Sequence, residues 1–297
     1  MTWYNYGVRP YFTLLRLPYQ LQLGPIFGWG YLLADGHLRS VDAVLHFTAM
    51  FLLLHVGAFG GLTALNSYYD RDTGPVGGLW QPPAPPDKLF LFAWSVQLGG
   101  LLLLLAISPA AALFYGAILV LSLGYSHPRT RWKGNAWKSL ATVTVGQGVF
   151  DCMAGACATG RPQWSPSFWC GLCGASLTVA GFYPLTQLYQ VADDLERGDR
   201  TLAATLVAWG RRDAVFEWAM ALLAFGEVMN GVALWQARLS MDAGLVGLAS
   251  IVTVALVESW RRQRHPDSRD DYLRVHTLMR GTAVAFGTYL VARLVAS

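Results

Sequence analysis

Residues 63–72 read TALNSYYDRD and residues 186–199 read TQLYQVADDLERGD. Each stretch sets a Thr and, two residues on, a Leu ahead of an Asp that falls seven residues after the Thr. Each closes a long apolar run before opening into a carboxylate-rich loop. The two copies lie 123 residues apart, from Thr63 to Thr186, and a shared offset of that kind points to an internally duplicated unit.

What precedes those acids decides the fold. Hydrophobic residues make up 54% of the 297-residue chain and charged ones 13%, against roughly 25% charged in a soluble domain. Divided at its polar and Pro/Gly-rich breaks, the chain yields nine apolar segments, at 12–34, 43–66, 88–107, 110–126, 138–159, 167–192, 213–236, 241–260 and 272–296. Each approaches the roughly 20 residues that a spanning helix needs. The 12 Trp and 13 Tyr suit a chain that meets two membrane–water boundaries. The fold expected is therefore an all-α integral membrane protein, a single polytopic domain over residues 1–297. It would be built from pseudo-repeats at about 10–135 and 136–260 with a last helix at 272–296. No soluble domain or removable signal peptide is evident. A net charge of +4 is modest and gives no reason to expect a nucleic-acid partner. The four cysteines, Cys152, Cys157, Cys170 and Cys173, sit in apolar segments, where packing is the usual role and an outer-surface disulfide the alternative.

Orientation follows from the Lys and Arg of the loops. Arg71, Lys88, Arg129, Arg131, Lys133, Lys138, Arg197, Arg200, Arg211, Arg212, Arg261, Arg262, Arg264 and Arg269 fall on one side, and Arg39, Arg161 and Arg238 on the other. Fourteen against three puts the amino terminus and both acid loops in the cytoplasm.

Thr63, Asn66, Ser67 and Asp70 are spaced to share one helix face, and Thr186, Tyr189, Gln190 and Asp193 repeat the spacing. Asp72 and the glycines of TGPVGG follow the first face; Asp194, Glu196 and Asp199 follow the second. Six carboxylates on two loops repel one another unless cations neutralise them. Hard oxygen donors suit Mg²⁺, which binds through a few carboxylates together with phosphate oxygens, so a diphosphate is the expected third party. The plain alternative is that the acids solvate a cytoplasmic surface. The loop HPRTRWKGNAWK supplies opposite charge, with Lys133 and Arg129 as candidate phosphate ligands and Arg16, inside the first span, as a third. Asp151 lies deep in the fifth span, where a carboxylate is expensive unless it faces a cavity or a partner. It could orient an acceptor hydroxyl, accept a final proton, or pair with a neighbour such as Gln147.

NSYYDRDTGP and QVADDLERGDRTLA resemble the two Asp-rich motifs of the UbiA superfamily of intramembrane prenyltransferases. YSHPRTRWK resembles that family's Tyr-Ser-x-Pro…Lys loop, and LLRLPY its first-helix Arg. The resemblance implies nine transmembrane helices around a central cavity. It implies Mg²⁺ held by Asn66, Asp70, Asp72, Asp193, Asp194 and Asp199, and a prenyl diphosphate contacted by Asn66, Arg16, Arg129, Lys133 and Tyr189. Asp70, Asp193 and Asp151 are the catalytic candidates. Ser67 and Gly74 stand where the family often carries Asp, and Asp194 and Asp199 are five residues apart instead of four.

The activity expected is transfer of an isoprenoid from its diphosphate to a lipophilic, in one version aromatic, acceptor within the lipid. A UbiA-type terpene cyclase, needing no acceptor, and a transporter or lipid-binding protein without chemistry are the competing readings.

Overall fold

The computed structural model describes residues 7–263 and 267–296; Arg264 of the charge count lies outside the described residues. The described residues form helices connected by short loops. Eight are long and apolar enough to cross a membrane: α4 (Val41–Asp70), α5 (Leu89–Ile107), α6 (Pro109–Ser126), α7 (Ala136–Cys157), α8 (Pro166–Glu196), α10 (Arg212–Gln236), α11 (Ser240–Arg261) and α12 (Ser268–Ala296). They match the second to ninth expected segments to within about four residues at either end, as helix frays make normal. A short helix, α9 (Leu202–Ala208), follows the second acid loop.

The first segment differs from expectation. Residues 12–34 do not form one span. They fall within three short helices, α1 (Arg9–Leu14), α2 (Leu17–Gln20) and α3 (Gly24–Leu33). The breaks have local causes. Arg16 takes a left-handed backbone conformation at φ 52°, and Pro18 and Pro25 each occupy the first turn of the helix that follows. At 1.5 Å per residue the ten residues of α3 cover about 15 Å, half of a hydrocarbon core.

Irregular backbone at such depth persists only where protein satisfies it. Here Gln20 Nε2 donates to the carbonyl of Leu15 and to Thr63 Oγ1, and the Thr63 hydroxyl lies within 3.2 Å of the Leu14 and Leu15 carbonyls. The Thr of the first quoted stretch thus seals the break in the first segment.

Glycines set the closest helix contacts. A Cβ on Gly30 of α3 would overlap the Cys152 carbonyl of α7, and one on Gly155 of α7 would overlap the Phe27 carbonyl of α3. The two helices therefore cross backbone to backbone, the small-residue packing expected in lipid, where apolar side chains gain little by leaving hydrocarbon. In α8, Pro184 cannot donate to the carbonyl of Ala180, and Trp218 Nε1 of α10 donates to that carbonyl at 3.4 Å. The helix then tightens into a 3₁₀ turn at Leu188–Gln190 before reaching Asp193. Two π-helical segments, Leu53–Gly60 in α4 and Thr144–Phe150 in α7, lie near the middle of those helices. The four cysteines are free.

Replacing Gly155 by Leu should separate α3 from α7 and lower the thermal midpoint in detergent, overpacking of this kind costing about 1–3 kcal/mol. Leucine at Gly244, which faces open space, should leave the midpoint within error.

Candidate active site

The two quoted stretches meet at one end of the bundle. α4 delivers Asn66 and Asp70, the TGPVGG loop carries Asp72 over the end of the helix, and α8 with its following loop delivers Asp193, Asp194 and Asp199. Between them sits the loop joining α6 to α7. Arg131, at φ 38°, reverses the chain there, and a 3₁₀ turn at Trp132–Gly134 follows. The loop is anchored by its sequence. The Trp132 indole occupies the space left by the missing Cβ of Gly124, the Gly134 carbonyl accepts from the Arg200 amide at 2.8 Å, and Asn135 caps α7 by accepting from the amides of Trp137 and Lys138.

Three cations hold this acid cluster. Arg131 makes a bidentate pair with Asp199 at 2.8 and 3.0 Å and reaches Asp70 at 3.5 Å. Arg197 donates to Asp72 at 2.6 Å and to Asp194 at 3.4 Å, with Asp199 3.9 Å away. Lys133 pairs with Asp70 and donates to Asn66 Oδ1, which also accepts from Ser126 Oγ at 3.0 Å. Carboxylates five residues apart in sequence, or on different loops, are thus linked by shared cations. Burial pushes the Lys133 ammonium below its ordinary range, against the opposing pull of Asp70. The Arg131 guanidinium is held above its usual value, chiefly by its hydrogen bonds to Asp199.

Arg16 enters from the broken first segment, donating to Ser67 Oγ at 2.8 Å and to the Gly77 carbonyl at 3.4 Å, with its Nε buried and unpaired. Ser67, one of the positions that departs from the Asp-rich pattern, is therefore an acceptor for a buried arginine. Gly74, the other departure, makes room for Asp193, since a Cβ there would overlap a carboxylate oxygen. Gln190 Nε2 donates to the Pro75 carbonyl at 3.0 Å and ties the glycine loop to α8. Gly78, at φ 81°, lies against the ring of Tyr19, a turn that a residue with a side chain would strain.

Below these charges lies a cavity with about 1190 Å³ of empty space, its open mouth included. Asn66, Asp70, Asp72, Asp194, Asp199, Arg16, Arg131, Lys133 and Arg197 line its mouth, and Tyr19, Tyr125, Tyr183 and Tyr189 its upper wall. Phe59, Leu62, Ile118, Leu121, Val143 and Gly146 form the apolar inner part.

Of the residues singled out from sequence, the structure brings Asn66, Asp70, Asp72, Asp194, Asp199, Arg16, Lys133 and Tyr189 to this cavity. Asp193 is half-buried just behind its rim, against Gly74. Arg129 is not brought in; the turn at His127–Arg131 leaves it exposed, and Arg131, two residues on, takes the inward position. Asp151 does not reach the cavity either. It is fully buried, with His55 Nε2 of α4, and not Gln147, facing it at 3.8 Å and neither of its oxygens hydrogen-bonded. Arg131 and Arg197 are the residues that sequence reading assigned to topology alone. Their one signal was position, each being a cation within or beside an acid or phosphate-candidate loop.

Among the described residues, no three His, Cys, Asp or Glu side chains converge closely enough to enclose a metal ion. The donor chemistry nevertheless fits Mg²⁺, which takes one or two carboxylates and completes its shell with water and phosphate oxygens. One oxygen of Asp70 is buried without a hydrogen bond, with Arg131 3.5 Å away, and would serve as such a ligand once that arginine turns to phosphate.

A multi-pass helical membrane protein with a carboxylate- and cation-lined cavity at one end of its bundle is the class that these features define. The sequence profile of the UbiA prenyltransferase family matches residues 23–281, and the chain belongs to that family of prenyl-transferring enzymes. A UbiA homologue from Archaeoglobus fulgidus bound to GPP and Mg²⁺ superposes with a TM-score of 0.64 at 17% identity, and its form bound to DMAPP and Mg²⁺ with 0.60 at 16%. Each comparison covers 95% of this chain and 99% of the other. A structure of digeranylgeranylglyceryl phosphate synthase gives 0.62 at 13% identity, over 96% of this chain and 99% of that one. At such identities the likeness establishes the fold. No curated protein sequence matches the chain.

A double-mutant cycle on Lys133→Met and Asp70→Asn should return a coupling of about 1–3 kcal/mol in unfolding experiments, because either single change strands a mostly buried group. Additive effects would show that the two do not interact.

Proposed function

We propose that this protein is a Mg²⁺-dependent intramembrane prenyltransferase, taking an isoprenoid from its diphosphate and passing it to a lipophilic acceptor, an aromatic ring being one candidate. The observation that carries the reading is the gradient along one cavity: nine charged or amide side chains at its mouth, tyrosine rings below them, and an inner end that is apolar but for Gln147 and the hydroxyls of Ser122 and Thr142. A prenyl diphosphate has the same polarity profile. The relatives described with GPP or DMAPP and Mg²⁺ support it.

Asn66, Asp70, Asp72, Asp193, Asp194 and Asp199 would hold the metal, and charge neutralisation on the departing diphosphate is the chemistry a bound Mg²⁺ supplies. Lys133, Arg131, Arg197 and Arg16 would take the diphosphate oxygens. To do so Arg131 and Arg197 exchange the carboxylates they now hold for phosphate, while the acids turn to metal; the guanidinium fork suits both partners. The tyrosine faces of the upper wall would shield the allylic cation by a cation–π interaction. The cytoplasmic placement of the amino terminus and of this mouth is proposed on the fourteen-to-three charge bias, and the two-unit duplication on the matching stretches that close α4 and α8. The same ring of tyrosines keeps a cyclase reading in play, since ring faces guide a cation that is quenched within its own chain.

Purified protein incubated with prenyl diphosphates and Mg²⁺, acceptor withheld, separates the two. No cyclic hydrocarbon or alcohol should be released; its appearance would replace the transferase by a cyclase. Unchanged conversion and binding in Asp70→Ala and Asp193→Ala would remove both in favour of a protein without this chemistry. Mg²⁺-dependent binding of inorganic diphosphate should weaken about tenfold or more in Arg131→Ala and by less than about twofold in Arg129→Ala, and should vanish in chelator.

A further inference from the structure

The cavity has a floor, and its depth can be read along three helices. Asn66 on α4, Tyr125 on α6 and Thr142 on α7 mark its polar level, Asn66 accepting a hydrogen bond from Ser126, the neighbour of Tyr125. The innermost lining residues are Phe59 on α4, Ile118 on α6 and Gln147 on α7. The separations are seven, seven and five residues, counted from 66 to 59, 125 to 118 and 142 to 147. They correspond to about 8–11 Å of helix. An isoprene unit adds four chain bonds, so this depth takes about two extended units, each matching about three residues of helical rise.

The floor is reinforced from behind. Phe59 is 2% exposed and Ile118 1%. The edge of the His55 ring meets Phe59 at a centroid distance of 5.7 Å, and the same ring stacks on Phe51 at 4.2 Å. Beyond His55 stands Asp151, the buried partner that the cavity chemistry does not use. Phe59 and His55 belong to one π-helical segment, Gly146 and Gln147 to the other, and Asp151 follows the second directly. Each irregular turn, a backbone feature common at functional sites, thus contributes a residue to the inner end of the cavity, Phe59 from one and Gln147 from the other, and behind them His55 Nε2 and Asp151 face each other at 3.8 Å without a hydrogen bond.

We infer that Phe59, packed against the His55 ring, fixes the length of the prenyl group, and that the substrate is a ten-carbon, geranyl-class diphosphate. The inference rests on the proposed prenyltransferase reading and adds the substrate to it. The measurement is equilibrium binding of non-ionisable thiolodiphosphate analogues with 5, 10, 15 and 20 carbons to the full-length protein in detergent with Mg²⁺. In the intact protein the C10 analogue should bind best, with C15 and C20 weaker by about tenfold or more. Phe59→Ala should bring C15 to within about twofold of C10. Phe59→Trp, which raises the floor, should weaken C10 about tenfold and leave C5 unchanged. Equal affinity for C10, C15 and C20 in the intact protein, or an order of preference that neither variant moves, would overturn the assignment of Phe59 while leaving the enzyme reading standing. If no chain length binds with Mg²⁺, the enzyme reading itself fails. A folding defect in Phe59→Ala would not obscure the result, since the intact protein and Phe59→Trp each test the floor independently.

Discussion

Five mostly buried carboxylates and their amide neighbour cannot crowd one end of a membrane bundle without positive charge among them. Arg131, Arg197 and Lys133 provide it, and each of the arginines bridges acids that belong to different chain segments. The rest of the site follows from that constraint. The α6–α7 loop must fold inward to deliver Arg131 and Lys133, so Gly124 is bare to seat Trp132, and the Gly134 carbonyl is tied to Arg200. The cations that neutralise the acids also have the chemistry to bind a diphosphate, so one set of side chains can serve the empty and the loaded site.

The broken first segment serves the same end. A continuous helix through residues 12–34 would carry Arg16 on a regular helix face. The left-handed turn at Arg16 lets its guanidinium reach Ser67 and the glycine loop, while Gln20 and Thr63 satisfy the backbone that the turn releases. The two departures from the Asp-rich pattern then have structural reasons. Ser67 receives Arg16, and Gly74 leaves space for Asp193.

Fold and site were legible in sequence to different degrees. Eight spans could be read because hydropathy along a chain is a local property, and backbone in lipid has few alternatives to a helix. The first segment was read as one helix because mean hydropathy does not register a φ above zero at Arg16 or two prolines in first-turn positions. Asp70 and Asp199 were visible as acids in polar loops. That Arg131 and not Arg129 faces them depends on the direction of one reversing turn, and two arginines two residues apart look alike in a string of letters. Asp151 was visible as an anomaly, but its partner His55 lies 96 residues earlier, from 55 to 151, on a different helix.

The sequence by itself determined that this chain crosses the membrane many times, that two matching polar helix ends lie on its basic side, and that it is a UbiA-type protein. Composition, period and motif spacing are carried by neighbours along the chain, so they survive without coordinates. Only the tertiary structure decided which cations neutralise which acids, and that Asp151 lies buried behind the cavity, facing His55, instead of entering it. It also placed Phe59 as the floor, some seven residues below Asn66. Those are relations between helices, fixed by glycine crossings such as Gly30 and Gly155, where backbones touch and no side chain announces the contact.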